Sequence, residues 1–296
     1  MKKIQSLLFI GIAVAFIAVS CQKAYERPDL TTGGGTGGGN PAPAGSLLAK
    51  VETKTNGSTE GSTITYEYNS SSKLSRITTV ATDSSNTSIT YVYRYVRDAA
   101  GRVTKIVSNI FSAVSPNSGF PDSVDVIVHY PDASTFNFDY VAFSIPLGGL
   151  AYSDTARYTY SNGVITELQE YQAIGPQVVT RVDWRQFTYA NNNIVTEKIF
   201  SPSVNAATTP IAIFTNEFDS KVQPLFTGNE GFLLGQNTGY ASKNNMMKFT
   251  ATDNSNGTVI VSLNYTYQYN SNNLPISGTG TETPKNKTTT VKFTYQ

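Results

Sequence analysis

The sequence predicts an all-β protein, an antiparallel hairpin meander forming a large curled sheet or barrel-like fold behind an N-terminal export segment. Three observations carry that expectation. Apolar and polar residues alternate with a period of two along most of the chain after residue 45. No sustained i, i+3, i+4, i+7 apolar pattern occurs beyond the N-terminal segment. Asn-Gly, Asn-Asn and Ser-Asn steps separate the alternating runs, and these tolerate the positive φ that tight hairpins require.

Residues 1–20 read as a signal peptide and stand outside the fold. Lys2 and Lys3 precede an apolar run of 13 residues, Leu7 to Val19, shorter than the ~20 that a spanning helix needs. The run ends Ala18-Val19-Ser20-Cys21, and Cys21 is the single cysteine of the chain, so no disulfide partner exists for it. This stretch resembles a bacterial lipoprotein lipobox, with Ala18 where that family usually carries Leu, Val or Ile. The resemblance implies cleavage before Cys21 and its lipidation, so that the chain meets a membrane through a lipid anchor. Each buried acyl methylene contributes about 0.8 kcal/mol to such anchoring. An ordinary secretory peptide cut nearby would instead leave Cys21 as a lone thiol. Gln22-Lys23, followed by Glu26 and Asp29, is similar to the export signal of Bacteroidota lipoproteins. It implies the outer membrane, with its surface-exposed face as a candidate.

Residues 21–45 are the lipidated cysteine plus a Gly/Pro-rich flexible tether, "TTGGGTGGGNPAPAG" over 31–45. Such a segment has no side chains with which to build a core. A Gly-rich coil from Gln22 to Gly45 has an r.m.s. span of roughly 25–30 Å, enough to hold a domain clear of lipid headgroups.

Residues 46–296 form one predicted all-β domain. Ile64, Tyr66 and Tyr68 share a strand face, as do Ile89, Tyr91, Tyr93 and Tyr95. Val124, Val126, Val128 and Tyr130 make another such row, then Phe136, Phe138 and Tyr140, and finally Val259 through Tyr269. An aromatic-x-Tyr end followed by a short polar turn recurs: the spacing is 27 residues from Tyr68 to Tyr95, 29 from Tyr160 to Tyr189, 29 from Tyr189 to Phe218 and 26 from Tyr269 to Tyr295. A period near 28 fits two strands and two turns, about seven hairpin-like units in all. Each unit must lie beside its neighbours to bury its aromatic face. The 51 residues from Phe218 to Tyr269 must hold an extra hairpin plus a loop.

"YRYVRDAAGRVTKI" (93–106) resembles the YD repeat of RHS-type proteins at Tyr93, Tyr95, Gly101, Arg102, Val103 and Thr104, with Val96 where that family has Asp. Together with the lipobox, the tether, "NEFDSKVQPLF" (216–226) and "SKNN" (242–245), it is similar to a group of Bacteroidota lipoproteins with degenerate YD-like hairpins. That group forms a domain of unknown function described as having a porin-like fold. The resemblance implies a curled sheet or barrel and brings no catalytic or binding residues with it. A tethered lipoprotein has no need of a bilayer-embedded barrel. The expectation is therefore a water-borne sheet with Tyr and Phe turned inward and Thr, Ser, Asn and Lys turned to solvent.

Charge excludes a nucleic-acid partner. There are 22 basic and 21 acidic residues, and without Lys2 and Lys3 the balance is 20 to 21, so no phosphate-neutralising stripe exists. The single histidine, His129, could share a strand's polar face with Asp125, but ~13 Å would separate them, so they form no metal site. Glu167 and Glu170 should point to opposite faces. Glu217 and Asp219 should share a wet face at ~7 Å, where nothing raises a carboxyl pKa for acid work. Arg102 and Lys105 are candidates for the wet face but sit three apart, which needs a bulge. No catalytic, cofactor-binding or metal residue is therefore assigned.

Four weaker features remain. "DSV" and "DTA" match a short O-glycosylation pattern at Ser123 and Thr155. Trp184 with Tyr171 or Tyr152 is a candidate sugar platform. "DNSNGTV" (253–259) lacks the Glu that would complete a calcium loop and reads as a hairpin turn. In "GNEGFLLGQNTGY" (228–240), Phe232, Leu233, Leu234 and Tyr240 either line a ligand loop or plug the curled sheet, and the plug is preferred. The functional expectation is a cell-envelope lipoprotein with a non-enzymatic binding or structural role toward glycan or protein. A surface polysaccharide hydrolase is the alternative.

Overall fold

The computed structural model describes residues 46–116, 120–147, 149–176, 179–201, 209–234 and 238–296. Its strands are β1 (Leu48–Thr55), β2 (Gly61–Tyr68), β3 (Leu74–Thr82), β4 (Ser88–Arg97), β5 (Val103–Ser108), β6 (Val124–His129), β7 (Tyr140–Leu147) and β8 (Leu150–Ser161). They continue as β9 (Val164–Ile174), β10 (Thr180–Ala190), β11 (Asn193–Ile199), β12 (Ala212–Val222), β13 (Asn244–Asp253), β14 (Val259–Tyr269), β15 (Pro275–Thr283) and β16 (Lys287–Tyr295). Each strand pairs with its sequence neighbours, and β1 closes on β16, giving a sixteen-stranded antiparallel barrel among the described residues. Closure pairs Val51 with Phe293. It extends past the strand ends, where the Gln296 amide donates to the Leu47 carbonyl at 2.8 Å.

Sixteen strands make eight hairpins, one more than the repeat spacing suggests. The missing unit is the β5–β8 region, which departs from the pattern. Residues 131–139 form a loop instead of a strand, and Phe136 is exposed while Phe138 is buried. The Asp132 carboxylate accepts the Ser134 and Thr135 amides, and the Arg102 guanidinium holds the carbonyls of Asp132, Ala133 and Thr135. Those side-chain bonds compete with the strand ladder and win. A five-residue helix, α1 (Ile110–Val114), interrupts the β5–β6 connection; its Phe111 packs 5.4 Å from Phe143.

The even-numbered strands from β2 to β16 run toward one end of the barrel. At the tight turns there, the residue after the aromatic pair does the turning. Asn69 Oδ1 accepts the amides of Ser71 and Lys73, and Asn270 Oδ1 those of Asn272 and Leu274. β4 runs two residues past Tyr95, so Arg97 takes the place that Tyr68 and Tyr269 hold beside the bulge, and Asp98 makes the turn, its carboxylate accepting the Arg102 amide at 2.9 Å. Arg102 is thus drawn into the turn, stacked 4.7 Å over the Tyr130 ring. It does not share the wet face with Lys105, which pairs with Asp125 outside.

A second feature of that end is a row of tyrosine latches. Tyr68 donates to the Leu48 carbonyl, Tyr130 to Val103, Tyr160 to Phe138, Tyr189 to Ile165, Tyr267 to Met246 and Tyr295 to Pro275, at 2.8–3.1 Å. In the copies ending at Tyr68, Tyr160, Tyr189 and Tyr295 the first ring lies in the core and the second ties a strand's end to the strand before it. In β14 the first aromatic, Tyr267, is the latch, and Tyr269 bonds Asp219. A half-buried phenol needs such an acceptor.

Barrels of sixteen to eighteen strands usually enclose an aqueous channel. Here the lumen is packed. Leu48, Val51, Ile64, Tyr66, Ile77, Tyr95, Ile106, Tyr158, Leu168, Phe187 and Val291 are buried in one cluster. The β12–β13 connection turns inward to join it through two 3₁₀ turns, Gly228–Leu233 and Thr238–Ala241.

The outer wall is polar. On β2 the outward residues are Thr63, Thr65 and Glu67; on β1 they include Lys50, Glu52 and Lys54; on β16 they include Thr288, Thr290, Lys292 and Thr294. A membrane-spanning barrel has the opposite arrangement, an outward apolar band about 25 Å tall, and Lys or Arg at its midplane costs ~2–4 kcal/mol each. Of nine exposed aliphatics among the described residues, Leu150, Ile174, Val179, Ile211, Val259 and Ile260 lie at the strand ends and turns away from the plug, Val96 and Ile276 lie at the opposite end, and Ile127 lies within β6. Among the described residues no helix is long and apolar enough to cross a membrane.

Candidate functional site

Three places concentrate chemistry: the plug, a polar stretch of the lumen wall, and a seam in the barrel.

The plug contains the loop residues singled out from sequence. Phe232, Leu233, Leu234 and Tyr240 are 2%, 5%, 3% and 6% exposed, so they fill the barrel and leave no apolar surface patch. Phe232 lies 5.1 Å from the Phe187 ring and 6.1 Å from Tyr158. The Tyr240 and Tyr66 hydroxyls meet at 3.5 Å. Glu230 takes two bonds from Arg97, which also holds the Leu74 and Gly101 carbonyls. Asn229 donates to the Gly163 carbonyl at 2.7 Å. The two 3₁₀ turns cross so closely that a Cβ at Gly231 would lie 2.5 Å from Tyr240 and Ala241 backbone atoms.

The polar stretch of the wall brings together groups that the sequence reading left apart. Asp154 on β8, Glu170 on β9 and Asp183 and Arg185 on β10 face inward beside Glu197 of β11. Arg185 bonds both Asp183 and Glu197, the latter at 3.0 Å. Asp154 and Glu170 share a hydrogen bond, and Asp154 also accepts Gln172 at 2.8 Å and Tyr152 at 3.2 Å. Burial and the adjacent Asp154 charge push the Glu170 carboxyl up to about 8. At neutral pH the pair therefore holds one proton between two carboxyl groups. Carboxyls in direct contact leave no room for a glycosidic bond, which requires about 5–5.5 Å or more between them.

The other sequence candidates fall elsewhere. Glu167 faces outward and Glu170 inward, as their spacing requires. Glu217 and Asp219 are held by different partners; the register shift beside them skips Met247 of β13 and no residue of β12. Glu217 is exposed and paired with Lys248 at 2.9 Å, whereas Asp219 is occupied by Tyr269, Asn245 and the Lys221 amide. Trp184 is no sugar platform, because Phe200 stacks on it at 4.3 Å and the Arg181 guanidinium sits 4.5 Å from it. Tyr171 also faces outward, and Tyr152 faces the lumen.

His129 is exposed, bonded to Asp139 at 2.6 Å and stacked on Tyr140 at 4.4 Å. Among the described residues no group of three or more His, Cys, Asp or Glu is placed to hold a metal ion. Residues 253–258 make a hairpin turn closed by the Asp253 amide on the Thr258 carbonyl. Ser123 is exposed just ahead of β6, whereas Thr155 is half-buried within β8 between two paired strands. Cys21 and the rest of residues 1–45 lie outside the described residues.

The seam was not foreseen as a site, although its suture is the "SKNN" stretch and one wall belongs to "NEFDSKVQPLF". β11 and β12 pair only from Thr196–Thr215 to Ile199–Ala212, then diverge. The chain returning from the plug closes the gap. The Ser242 hydroxyl accepts the Ile194 amide at 3.0 Å, the Lys243 amide donates to the Asn192 carbonyl, and Asn193 and Asn244 bond each other twice. Beside this suture lies a depression of about 560 Å³, lined by Asn191, Asn193, Asn216, Phe218, Ser220, Lys243 and Asn244 among others.

No family model matches the chain, and no curated protein matches it. Solved structures do. A porin-like protein from Bacteroides uniformis ATCC 8492 superposes with a TM-score of 0.50 at 12% identity, over 84% of this chain and 96% of that one. A porin-like protein from Bacteroides vulgatus ATCC 8482 gives a TM-score of 0.37 at 9% identity, over 84% and 98%. At such identity the likeness to the first is one of fold: this chain is an all-β barrel of porin-like architecture.

Proposed function

We propose that this chain is a lipid-anchored protein of the bacterial outer membrane, whose barrel works clear of the bilayer in a non-enzymatic binding or structural role. The observation that carries the reading is the barrel's inverted wall. Charged and hydroxyl side chains face out and a packed, plugged core faces in, which suits water on the outside and no conduction within. An N-terminal lipobox ending in Cys21 and a glycine-rich tether would attach such a barrel to a membrane without embedding it. The hairpin unit is read as a degenerate YD-like repeat, whose acidic or amide position serves the turn. Ser123 is the better placed of the two O-glycosylation candidates, since it is the exposed one.

Mass spectrometry of the N-terminal peptide tests the anchor. Wild type should carry acyl mass on Cys21 and fractionate with membranes, and Cys21→Ala should be released to the soluble fraction. An unmodified Cys21 in membrane-bound protein would overturn it. Protease added to intact cells should digest the barrel if it faces outward. Complete protection would place it on the periplasmic side.

A polysaccharide hydrolase would have to use the Asp154–Glu170 pair, the sole raised carboxyl couple among the described residues, and the direct contact of the two groups counts against it. That reading predicts that Glu170→Gln abolishes sugar release from an envelope polysaccharide.

A further inference from the structure

We infer that the seam between β11 and β12 is a binding site for a neutral mono- or disaccharide. This deepens the binding role proposed above and names its place and ligand class.

The wall opens here for a structural reason. The plug's return segment, Ser242 to Asn244, occupies the line along which β11 and β12 would otherwise zip together. Divergence leaves a depression of about 560 Å³, within the 300–1,000 Å³ typical of small-ligand sites. Its lining combines the two surfaces that a sugar ring presents to a protein. Phe218 and Val195 offer apolar contact for ring C–H groups, while Asn191, Asn216, Ser220 and Lys243 offer hydrogen-bonding groups to hydroxyls.

Two polar groups have capacity to spare. Asn216 is 7% exposed; its amide nitrogen donates to the Ile194 carbonyl at 2.8 Å, while its Oδ1 has no partner among the described residues. A buried acceptor left unpaired costs about 1–3 kcal/mol, and a hydroxyl that reaches it as the seam opens slightly recovers that cost. The Lys243 ammonium makes no ion pair among the described residues.

Formal charge in the lining balances, with the Asp219 carboxylate offsetting the Lys243 ammonium, so nothing there selects an ionic ligand. Glu217 is neutralised by Lys248, and Asp219 is spent on Tyr269, Asn245 and a backbone amide. A peptide added as an extra strand fits less well. It would need the free edge of β11, where the Ile194 amide and carbonyl are already taken by Ser242 and Asn216.

The test uses the full acylated chain in detergent. It is titrated calorimetrically with glucose, galactose, mannose, N-acetylglucosamine, maltose, cellobiose and lactose. At least one should bind. Ser220→Trp, which fills the mouth from an exposed position, should weaken it by about tenfold or more. Asn216→Leu should do the same, and Thr65→Trp on another part of the wall should leave it unchanged. Ser220→Trp needs no change in the buried suture, so it stays informative even if Asn216→Leu fails to fold. The inference is overturned if none of the seven sugars binds, if binding survives Ser220→Trp undiminished, or if an alanine–glycine peptide binds the seam while the sugars do not. The mass of Cys21 is a separate readout, so an absent anchor and an absent sugar site are told apart.

Discussion

Tyr189 shows what one repeated residue contributes. Its ring packs on the core edge and its hydroxyl ties β10 to the Ile165 carbonyl at 2.8 Å. Tyr189→Phe keeps the ring and leaves a half-buried carbonyl unpaired, so denaturant unfolding should show a loss of about 1 kcal/mol. An unchanged midpoint would mean that water replaces the latch. Glu170 gives a pH-dependent counterpart. Its carboxyl rises from the ordinary 4.5 to about 8 on folding, so the folded chain holds an extra proton between those values. Stability from this group is complete below that interval and is lost as pH rises through about 8. The melting temperature of wild type should therefore fall between pH 6 and pH 9, and Glu170→Gln should flatten the fall. Parallel declines in both proteins would refute the shared proton. The acids were legible in part: Asp154 is in phase with inward Tyr158, and Asp183 and Arg185 with Phe187. A charge in register with core aromatics is a lumen charge. Which acids touch required the β8–β9 register, which alternation alone does not set.

At the scale of elements, the hairpins follow local rules and the plug does not. The Asn-Gly, Asn-Asn and Ser-Asn steps and the period-two rows predicted strands that the structure forms. Phe136 and Tyr140 broke the pattern because Asp132 and Arg102 bind the intervening backbone. The plug depends on partners far along the chain: Glu230 meets Arg97, 133 residues away, and Tyr240 meets Tyr66. Arg97→Met should remove the ion pair and three bonds to carbonyls, costing about 1–3 kcal/mol. Hydrogen exchange should accelerate through 228–241 and stay slow in β14. Uniform acceleration across the barrel would show that the plug does not open independently. Gly231→Ala tests the crossing by another route, since its Cβ meets backbone and cannot be relieved by a side-chain rotation. It should lower the melting temperature, and an unaltered value would mean that the two turns can separate freely.

For the whole molecule, strand number and wall polarity point in different directions, and polarity decides. Sixteen strands are enough for a pore, but the outer wall carries Lys50, Glu52, Lys54 and Lys292, and the lumen holds a packed core. Purified chain added to planar bilayers should therefore give no stepwise conductance, and reproducible channel openings would contradict the packed lumen. The sequence by itself determined the all-β class, the hairpin repeat, the inward aromatics and the polar outer face. All of these rest on the pleat, which sends alternate side chains to opposite faces wherever a strand forms. Only the tertiary structure decided that β1 meets β16, that residues 228–234 and 238–241 enter the lumen, and that β11 and β12 part to leave a seam. Those outcomes depend on register and on contacts between distant segments. A local period carries no record of which distant strand lies alongside.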